Sequence, residues 1–352
     1  MSKLGIQRSN LVAASVVSAA ALVVAGLFGW GMGLAAGSGS PTVPVQQLSP
    51  TTLTGTTNYP TLNLAATPHL PPPDGVIESR QGNQVTVNLT VLRKDIQIAP
   101  GVVYHAWTFD GTVPGPVIRL TVGDVVHVNV TNADPVMEHS IDFHAAQVAP
   151  SVDYTEIAPG TTKSFDFTPN HAGVFMYHCG SPLVIQHMAN GMYGAIIVDP
   201  KVARAPAREY VIVQSEFYTA PDPATQLQDE VNGNAQLVVF NGYWDHYKIG
   251  PLLASPGQLI RLYVVDAGPN YWSAFHVIGA LFSTVEASGN PANQLQWVQT
   301  ATVAPGDGAV FELTIPDAGV YPFVTHSFGD VNKGAVGAIK VEPDAPAQPL
   351  VP

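Results

Sequence analysis

The stretch YHCGSPLVIQHMANGMYG, residues 177–194, contains the only cysteine of this 352-residue chain. His178 directly precedes Cys179, His187 follows eight residues later, and Met192 follows five residues after that. A lone thiol cannot form an internal disulfide, so Cys179 is interpreted as either a buried side chain or a metal ligand. The neighbouring imidazoles and thioether favour the metal, because these groups accompany a thiolate in sites for soft metals.

The sequence around this stretch indicates short strands. Runs such as NQVTVNLTVL (83–92), DVVHVNVTN (124–132) and KSFDFTP (163–169) alternate apolar and polar residues, with Gly, Pro, Asn and Asp between them. Such alternation is typical of half-buried strands, and 31 prolines with 32 glycines suit many tight turns. We therefore predict an all-β fold made of sandwiches.

An internal repeat extends this prediction to two tandem sandwiches. PGTTKSFDFTPNHAGVFMYHC (159–179) is similar to PGDGAVFELTIPDAGVYPFVTHS (305–327), and NGMYGAIIVDP (190–200) is similar to NKGAVGAIKVEP (332–343). The repeat predicts a seam near residues 200–210. It also predicts four correspondences between the copies: His178 with His326, His139 with His276, Cys179 with Ser327, and Met192 with Ala335. The second copy would thus keep two imidazoles and lack both sulfur ligands.

The N-terminus is predicted to place the body beyond the cytoplasmic membrane. Residues 1–10 carry Lys3 and Arg8, and residues 11–37 form an uncharged apolar run. As a helix this run would span about 40 Å, more than a hydrocarbon core of about 30 Å. We predict a cytoplasmic N-terminus and a transmembrane anchor, with a cleaved signal peptide as the alternative. Residues 38–75, rich in Thr, Pro, Ser and Gly, are predicted to form a flexible tether.

The composition excludes one large class of function. The net charge is −12 and only 11% of residues are charged, whereas nucleic-acid binding requires a basic face. The hydrophobic fraction of 46% is ample for buried cores.

Four residues of the first repeat form a predicted copper set. They are His139, Cys179, His187 and Met192. Two imidazoles, one thiolate and a weak thioether are the ligands of a blue-copper electron-transfer centre. The alternative is a buried cysteine with scattered histidines.

A second predicted set lies on the other face of the same strands. Neighbours in a strand point to opposite faces, so His178 faces away from the metal that Cys179 binds. His144 is available on that outer face, and His326 could supply a third imidazole. Three histidines with an open position are typical of a catalytic metal site.

Two further residues are predicted to handle protons near the open metal. Asp142 lies two residues before His144 and hence on the same face. His276 is predicted to be a second proton donor, although a core histidine is the alternative. Ile278 could form a wall of the substrate space. The remaining histidines are expected to be structural or solvated; they are His69, His105, His127, His171 and His246.

These residues resemble the copper-containing nitrite reductases, two-cupredoxin proteins of the multicopper oxidase superfamily. The resemblance covers roughly residues 76–343 and is carried by HSIDFHAA, YHCGSPLVIQHMANGMYGAIIVDP, FHVIG and THSFGDVNKGAVGAIKVE. The short step from Cys179 to His187 is similar to that of outer-membrane lipoprotein nitrite reductases. The resemblance implies Greek-key cupredoxin domains at residues 76–200 and 201–346.

The resemblance also implies roles for individual residues. It implies type 1 copper at His139, Cys179, His187 and Met192. It implies type 2 copper at His144, His178 and His326, the last donated by the neighbouring subunit of a homotrimer. Asp142 and His276 would position and protonate nitrite, and Ile278 would wall the pocket. The sequence departs from the family pattern at Glu138, at Ser140, in the loop AAQVAPSVDY (145–154) and after His326.

The predicted function is dissimilatory-type reduction of nitrite to nitric oxide and water, as in denitrification. Electrons would come from an external cupredoxin or cytochrome c. A two-domain laccase-like oxidase is one alternative, but its three-copper cluster needs His-x-His pairs, and the chain has none. The other alternative is a membrane-tethered electron carrier that uses the type 1 copper alone.

Overall fold

The computed structural model describes residues 79–351. The predicted N-terminus (1–10), anchor (11–37) and tether (38–75) lie outside these residues. Within the described part of the chain, no helix is long and apolar enough to cross a bilayer.

The first half of the described chain forms one β-sandwich. Its elements are β1 (Ser79–Gln81), β2 (Gln84–Ala99), β3 (Val102–Phe109), β4 (Gly115–Thr121), β5 (Val125–Asn132), β6 (Asp142–Phe143), α1 (Pro150–Asp153), β7 (Thr162–Phe167), β8 (Gly173–His178), α2 (Val184–Ala189) and β9 (Tyr193–Asp199). One sheet has the order β1-β2-β5-β7, with β3 paired to β2, and the other has the order β4-β9-β8-β6.

The second half repeats this plan. Its elements are β10 (Arg208–Phe217), α3 (Pro223–Asn232), β11 (Leu237–Phe240), α4 (His246–Ile249), β12 (Leu252–Ala254), β13 (Leu259–Asp266), β14 (Ser273–Val277), β15 (Phe282–Ala287), β16 (Gln294–Val298), β17 (Thr300–Val303), β18 (Gly308–Thr314), β19 (Gly319–Thr325), α5 (Phe328–Val331) and β20 (Val336–Val341). The sheets have the orders β11-β10-β13-β18-β15-β16 and β12-β20-β19-β14-β17. The prediction of two tandem all-β sandwiches is confirmed.

Strand β8 is buried on both faces, which explains its continuous apolar sequence. Tyr177 and, just beyond the strand, Cys179 pack in the core of the first sandwich. Val174 and Met176, on the opposite face, pack against the second sandwich in a shared core. The end of β8 therefore lies between two buried environments, where adjacent side chains can belong to different sites.

Strand register corrects the predicted correspondence between His139 and His276. In the first sandwich, β6 pairs with β8 so that Asp142 is opposite His178. In the second, β14 pairs with β19 so that His276 is opposite Val324. When GVFMYH of β8 is aligned with GVYPFV of β19, His276 occupies the position of Asp142. The two predicted proton carriers are thus equivalents in the repeat.

The predicted correspondence of Cys179 with Ser327 is also wrong. Cys179 N donates to Met192 O at 3.1 Å, and the equivalent bond joins Thr325 N to Ala335 O at 3.3 Å. The counterpart of Cys179 is therefore Thr325, whereas the match of Met192 with Ala335 is confirmed.

The same register shows that His326 is not the counterpart of His178. That position belongs to Val324, so the second copy has two extra residues before its histidine. His326 lies just beyond β19, where it is exposed to solvent. An alignment that matches His178 with His326 hides this extension. It therefore also matches Cys179 with Ser327, which is wrong for the same reason.

Candidate metal centre

Three side chains of the first predicted set converge inside the first sandwich. Cys179 Sγ lies 3.2 Å from His187 Nδ1 and 3.9 Å from His139 Nδ1, and the two nitrogens are 3.2 Å apart. All three residues are buried. Two imidazole nitrogens and one sulfur that face a common point fit copper, because this is the N₂S donor set of blue-copper sites.

The protonation states also suit a metal. Burial lowers the pKa of His139, and burial together with His139 lowers the pKa of His187 to about 4, so both imidazoles are neutral at physiological pH. Burial raises the pKa of the Cys179 thiol. Because a thiol binds metal only as the thiolate, copper binding at Cys179 would release its proton.

A buried carboxylate sets the tautomer of His139. His139 Nε2–H donates to Asp134 Oδ2 at 3.1 Å, which leaves the Nδ1 lone pair directed at the set. Asp134 Oδ2 also accepts from Arg93 Nε at 2.6 Å. A ligand histidine held by a carboxylate is the usual arrangement around a metal, because it fixes the ring and raises its basicity.

Met192, the predicted fourth ligand, lies next to this set. It is fully buried in the same core as Cys179. Its backbone N–H donates to His187 O at 3.2 Å, and its carbonyl accepts from Cys179 N. These two bonds hold the backbone of Met192 next to Cys179 and His187, and its thioether stays a predicted copper ligand.

The second set forms where β6 and β8 end. His178 Nε2 and His144 Nε2 are 3.2 Å apart, and Asp142 Oδ2 lies 3.6 Å from the former and 3.7 Å from the latter. The His178 side chain is 10% exposed and those of His144 and Asp142 are about one third exposed. The site is therefore open to solvent on the carboxylate side.

Backbone carbonyls fix both imidazoles of this set. His178 Nδ1–H donates to Cys179 O at 2.9 Å, and His144 Nδ1–H donates to Gly306 O at 3.0 Å. Each ring therefore presents its Nε2 lone pair to the common point. Burial lowers the pKa of His178, so it is neutral and able to bind a metal. Two such nitrogens beside a carboxylate fit a copper ion with open positions.

The remaining predicted residues lie on the second sandwich. His276 Nδ1–H donates to Gln299 O at 2.5 Å, and its ring centroid is 5.4 Å from that of His326. His326 also contacts the Phe328 ring, and Ile278 is 43% exposed. Within residues 79–351 of one chain, the two metal-ligand groups contain neither His276 nor His326.

Some residues near the sets were not predicted from the sequence. Asp134 lies in the turn before His139, and an Asp-Pro pair is a turn signal that gives no indication of a contact with a ligand. Trp107 packs its ring edge to face with that of His187, at a centroid distance of 4.9 Å. His171, expected to be structural or solvated, lines a cavity of about 190 Å³ together with His144.

Known proteins are similar to this chain in sequence and in fold. The family model described as Multicopper oxidase matches residues 90–203. The copper-containing nitrite reductase of Neisseria gonorrhoeae is 37% identical over 289 residues, 79% of this chain and 74% of that protein. The one from Cereibacter sphaeroides is 30% identical over 72% of this chain and 75% of its own length. The solved copper nitrite reductase from Nitrosomonas europaea is 41% identical, with a TM-score of 0.72 over 75% of this chain and 96% of that chain.

The two sandwiches and the His-Cys-His set define a two-domain cupredoxin of the multicopper oxidase class. Within that class, the chain belongs to the copper-containing nitrite reductases. The predicted family and fold are confirmed.

Proposed function

We propose that this chain reduces nitrite to nitric oxide, with copper as its cofactor in both sets. Nitrite, one electron and two protons give nitric oxide and water. The observation that carries the proposal is the adjacency of Cys179 and His178, which belong to two separate ligand groups. A single peptide unit then joins a buried redox centre to a solvent-open one.

The residues divide into two copper sites of different character. Copper supplies one-electron redox chemistry at the first set, and Lewis acidity together with an electron at the second. His139, Cys179, His187 and Met192 would hold type 1 copper in a dry core, where little can rearrange during electron transfer. His144 and His178 would hold type 2 copper, with open positions for nitrite.

Protons reach the substrate from two sides. Asp142 Oδ2 lies within 3.7 Å of both second-set nitrogens and is partly exposed, so it can take a proton from solvent and hold it toward nitrite. We assign the second proton to His276, whose Nδ1–H bond to Gln299 O leaves Nε2 free to exchange a proton. Ile278, two residues further along the same strand, would wall the pocket.

We propose that the third type 2 ligand is His326 of a neighbouring subunit in a homotrimer. Its exposed position at the end of β19 supports this, because it can reach another chain. Large apolar side chains that a subunit interface would bury are exposed on the second sandwich: Trp272, Ile278, Leu281, Leu295, Trp297 and Phe328. Such residues are more consistent with an interface than with a free surface.

We further propose that the protein acts outside the cytoplasm, anchored by residues 11–37 and tethered by residues 38–75, or secreted if the anchor is cleaved. The electron donor would be an external cupredoxin or cytochrome c. The uncharged run after Lys3 and Arg8 supports the topology.

Turnover and metal content together test the proposal. Purified protein should contain two coppers per chain, one with intense visible colour, and should release nitric oxide from nitrite with a reduced donor. Cys179→Ala should remove the colour and donor-driven activity. A coloured protein that oxidises phenols and consumes dioxygen would favour the laccase-like alternative instead. Colour without either activity would favour the electron carrier.

A further inference from the structure

A buried carboxylate connects His139 of the first set to a cation at the surface of the first sandwich. Asp134 Oδ2 accepts from His139 Nε2 at 3.1 Å and from Arg93 Nε at 2.6 Å. The side chain of Asp134 is fully buried, whereas that of Arg93 is 42% exposed. Because both donors bind the same oxygen, Arg93 neutralises part of the negative charge that otherwise acts on His139 alone.

Trp107 connects the same cation to His187. Arg93 in β2 lies opposite Trp107 in β3, and Arg93 Cζ is 5.8 Å from the centroid of the Trp107 ring, within the range of a cation–π contact. The Trp107 centroid lies 4.9 Å from that of His187 and 6.0 Å from that of His139. Trp107 N also donates to Asn190 O at 2.9 Å, which ties β3 to the segment that follows α2. One arginine therefore contacts the outer neighbours of both ligand imidazoles.

The position of Arg93 gives its effect on a bound copper a definite sign. An anionic acceptor for the Nε2–H of a ligand imidazole makes the ring more basic, which stabilises oxidised copper. A cation on the same carboxylate weakens this stabilisation. The positive charge of Arg93 also disfavours the more highly charged Cu(II) state directly. Both effects raise the reduction potential of the centre.

We propose that Arg93 is a positioning residue for the copper centre of the first set, and that its charge keeps the reduction potential of this centre high. It restrains His139 through Asp134, and it restrains the His187 ring through Trp107. The potential decides how easily an external donor reduces the centre and how readily the electron moves on to the second set. The inference rests on the type 1 copper of the proposed function and does not require nitrite turnover.

Arg93→Gln tests the charge, because glutamine keeps an N–H group that can donate to Asp134. The measurement is the ratio of reduced to oxidised copper at a fixed solution potential, followed by the visible colour of the oxidised centre. We expect this ratio to fall about 3- to 10-fold, the effect of one partly exposed charge near a buried centre. Arg93→Lys keeps the charge and should hold the ratio within about twofold of the parent.

Arg80→Gln is the matched control for this experiment. Arg80 Nη1 donates to Asp124 Oδ1 at 2.9 Å, and the two side chains are 32% and 5% exposed, so the pair resembles that of Arg93 with Asp134. The other oxygen of Asp124 accepts from Thr121 N instead of a ligand histidine. The ratio in Arg80→Gln should therefore equal that of the parent.

A double-mutant cycle separates this role from a loss of packing. Arg93→Gln should lower the potential and Asp134→Asn should raise it, whereas general loosening of the centre has no reason to give opposite signs. In the Asp134→Asn background, Arg93→Gln should have a smaller effect, because the shared carboxylate is gone. The inference is overturned if Arg93→Gln has a potential equal to or above that of the parent, or if Arg93→Lys falls as far as Arg93→Gln. A parent protein without visible colour would instead contradict the type 1 copper, and colour without nitric oxide would contradict only the proposed reaction.

Discussion

Asp134→Asn is the most direct test of how the first metal-ligand group is built. Asp134 is 1% exposed, and its two oxygens have separate tasks. Oδ1 accepts from Val136 N at 2.8 Å, while Oδ2 accepts from Arg93 Nε and His139 Nε2. Asparagine has nearly the same volume, so no cavity forms. In either orientation of the asparagine amide, its NH₂ group faces a donor: Val136 N on one side, or Arg93 Nε and His139 Nε2 on the other.

The expected magnitude follows from what each group loses. Burial would raise the pKa of Asp134, but the hydrogen bonds from Arg93 and His139 lower it to about 2, so the carboxylate is charged at working pH. Loss of a carboxylate that orients a ligand histidine typically weakens metal binding about 10- to 100-fold. The free energy of unfolding of the metal-free protein should fall by about 1–3 kcal/mol, because buried donors are left without an acceptor. The reduction potential should rise, because a less basic His139 stabilises oxidised copper less.

The assay is a copper titration followed by visible colour, with the potential measured on the loaded protein. Asp166→Asn is the control, because Asp166 makes the same kind of bond to His127, at 2.5 Å, on the surface. The side chains of that pair are 70% and 49% exposed, so the change should cost less than about 0.5 kcal/mol. Copper affinity and potential equal to those of the parent in Asp134→Asn would refute the reasoning.

Three further predictions concern the second set, packing and pH. His326→Ala should abolish nitric oxide production and leave the visible colour; bleaching would contradict the assignment. Gly194→Ala would place a Cβ 2.4 Å from the Tyr177 ring and should destabilise by about 1–3 kcal/mol in urea unfolding, whereas Gly329→Ala, with nothing within 4 Å, should be near neutral. Burial, with a lesser contribution from a neighbouring aspartate, raises the pKa of Glu230 to about 7. Because folding then favours the protonated carboxyl, the free energy of unfolding should fall as the pH rises from about 4 to about 7. Glu230→Gln should flatten this dependence in unfolding midpoints, and an unchanged slope would exclude Glu230 as its source.

The separation of the two ligand groups was predictable because adjacent residues of a strand face opposite sides. That rule separated Cys179 from His178, and the spacing of two placed Asp142 with His144. The register of the second sandwich was not predictable from the sequence. The two extra residues before His326 are hidden because residues 305–327 resemble residues 159–179 without an obvious gap. Contacts from loops, such as that of Asp134 with His139, depend on how a turn folds back. Sequence periodicity carries no information about such contacts.

The second sandwich has backbone hydrogen bonds equivalent to those around Cys179, but the side chains at these positions are different. Ser140 N donates to Cys179 Sγ at 3.4 Å, and the equivalent bond joins Ala274 N to Thr325 Oγ1 at 3.0 Å. A hydroxyl keeps its proton where a thiol can lose it, so this position offers no soft anionic ligand.

The loss of the thiolate changes what the second sandwich can contribute. Met192 N donates to His187 O, and the equivalent bond joins Ala335 N to Asp330 O at 3.1 Å, so an acidic residue stands where the second imidazole would be. These residues do not supply a type 1 ligand set, so the colour expected of the purified protein would come from the first sandwich alone. Strand β19 runs one residue further than its counterpart β8, and His326 follows it at the surface. Under the proposal that His326 serves a neighbouring subunit, this extension is what places its imidazole at the surface.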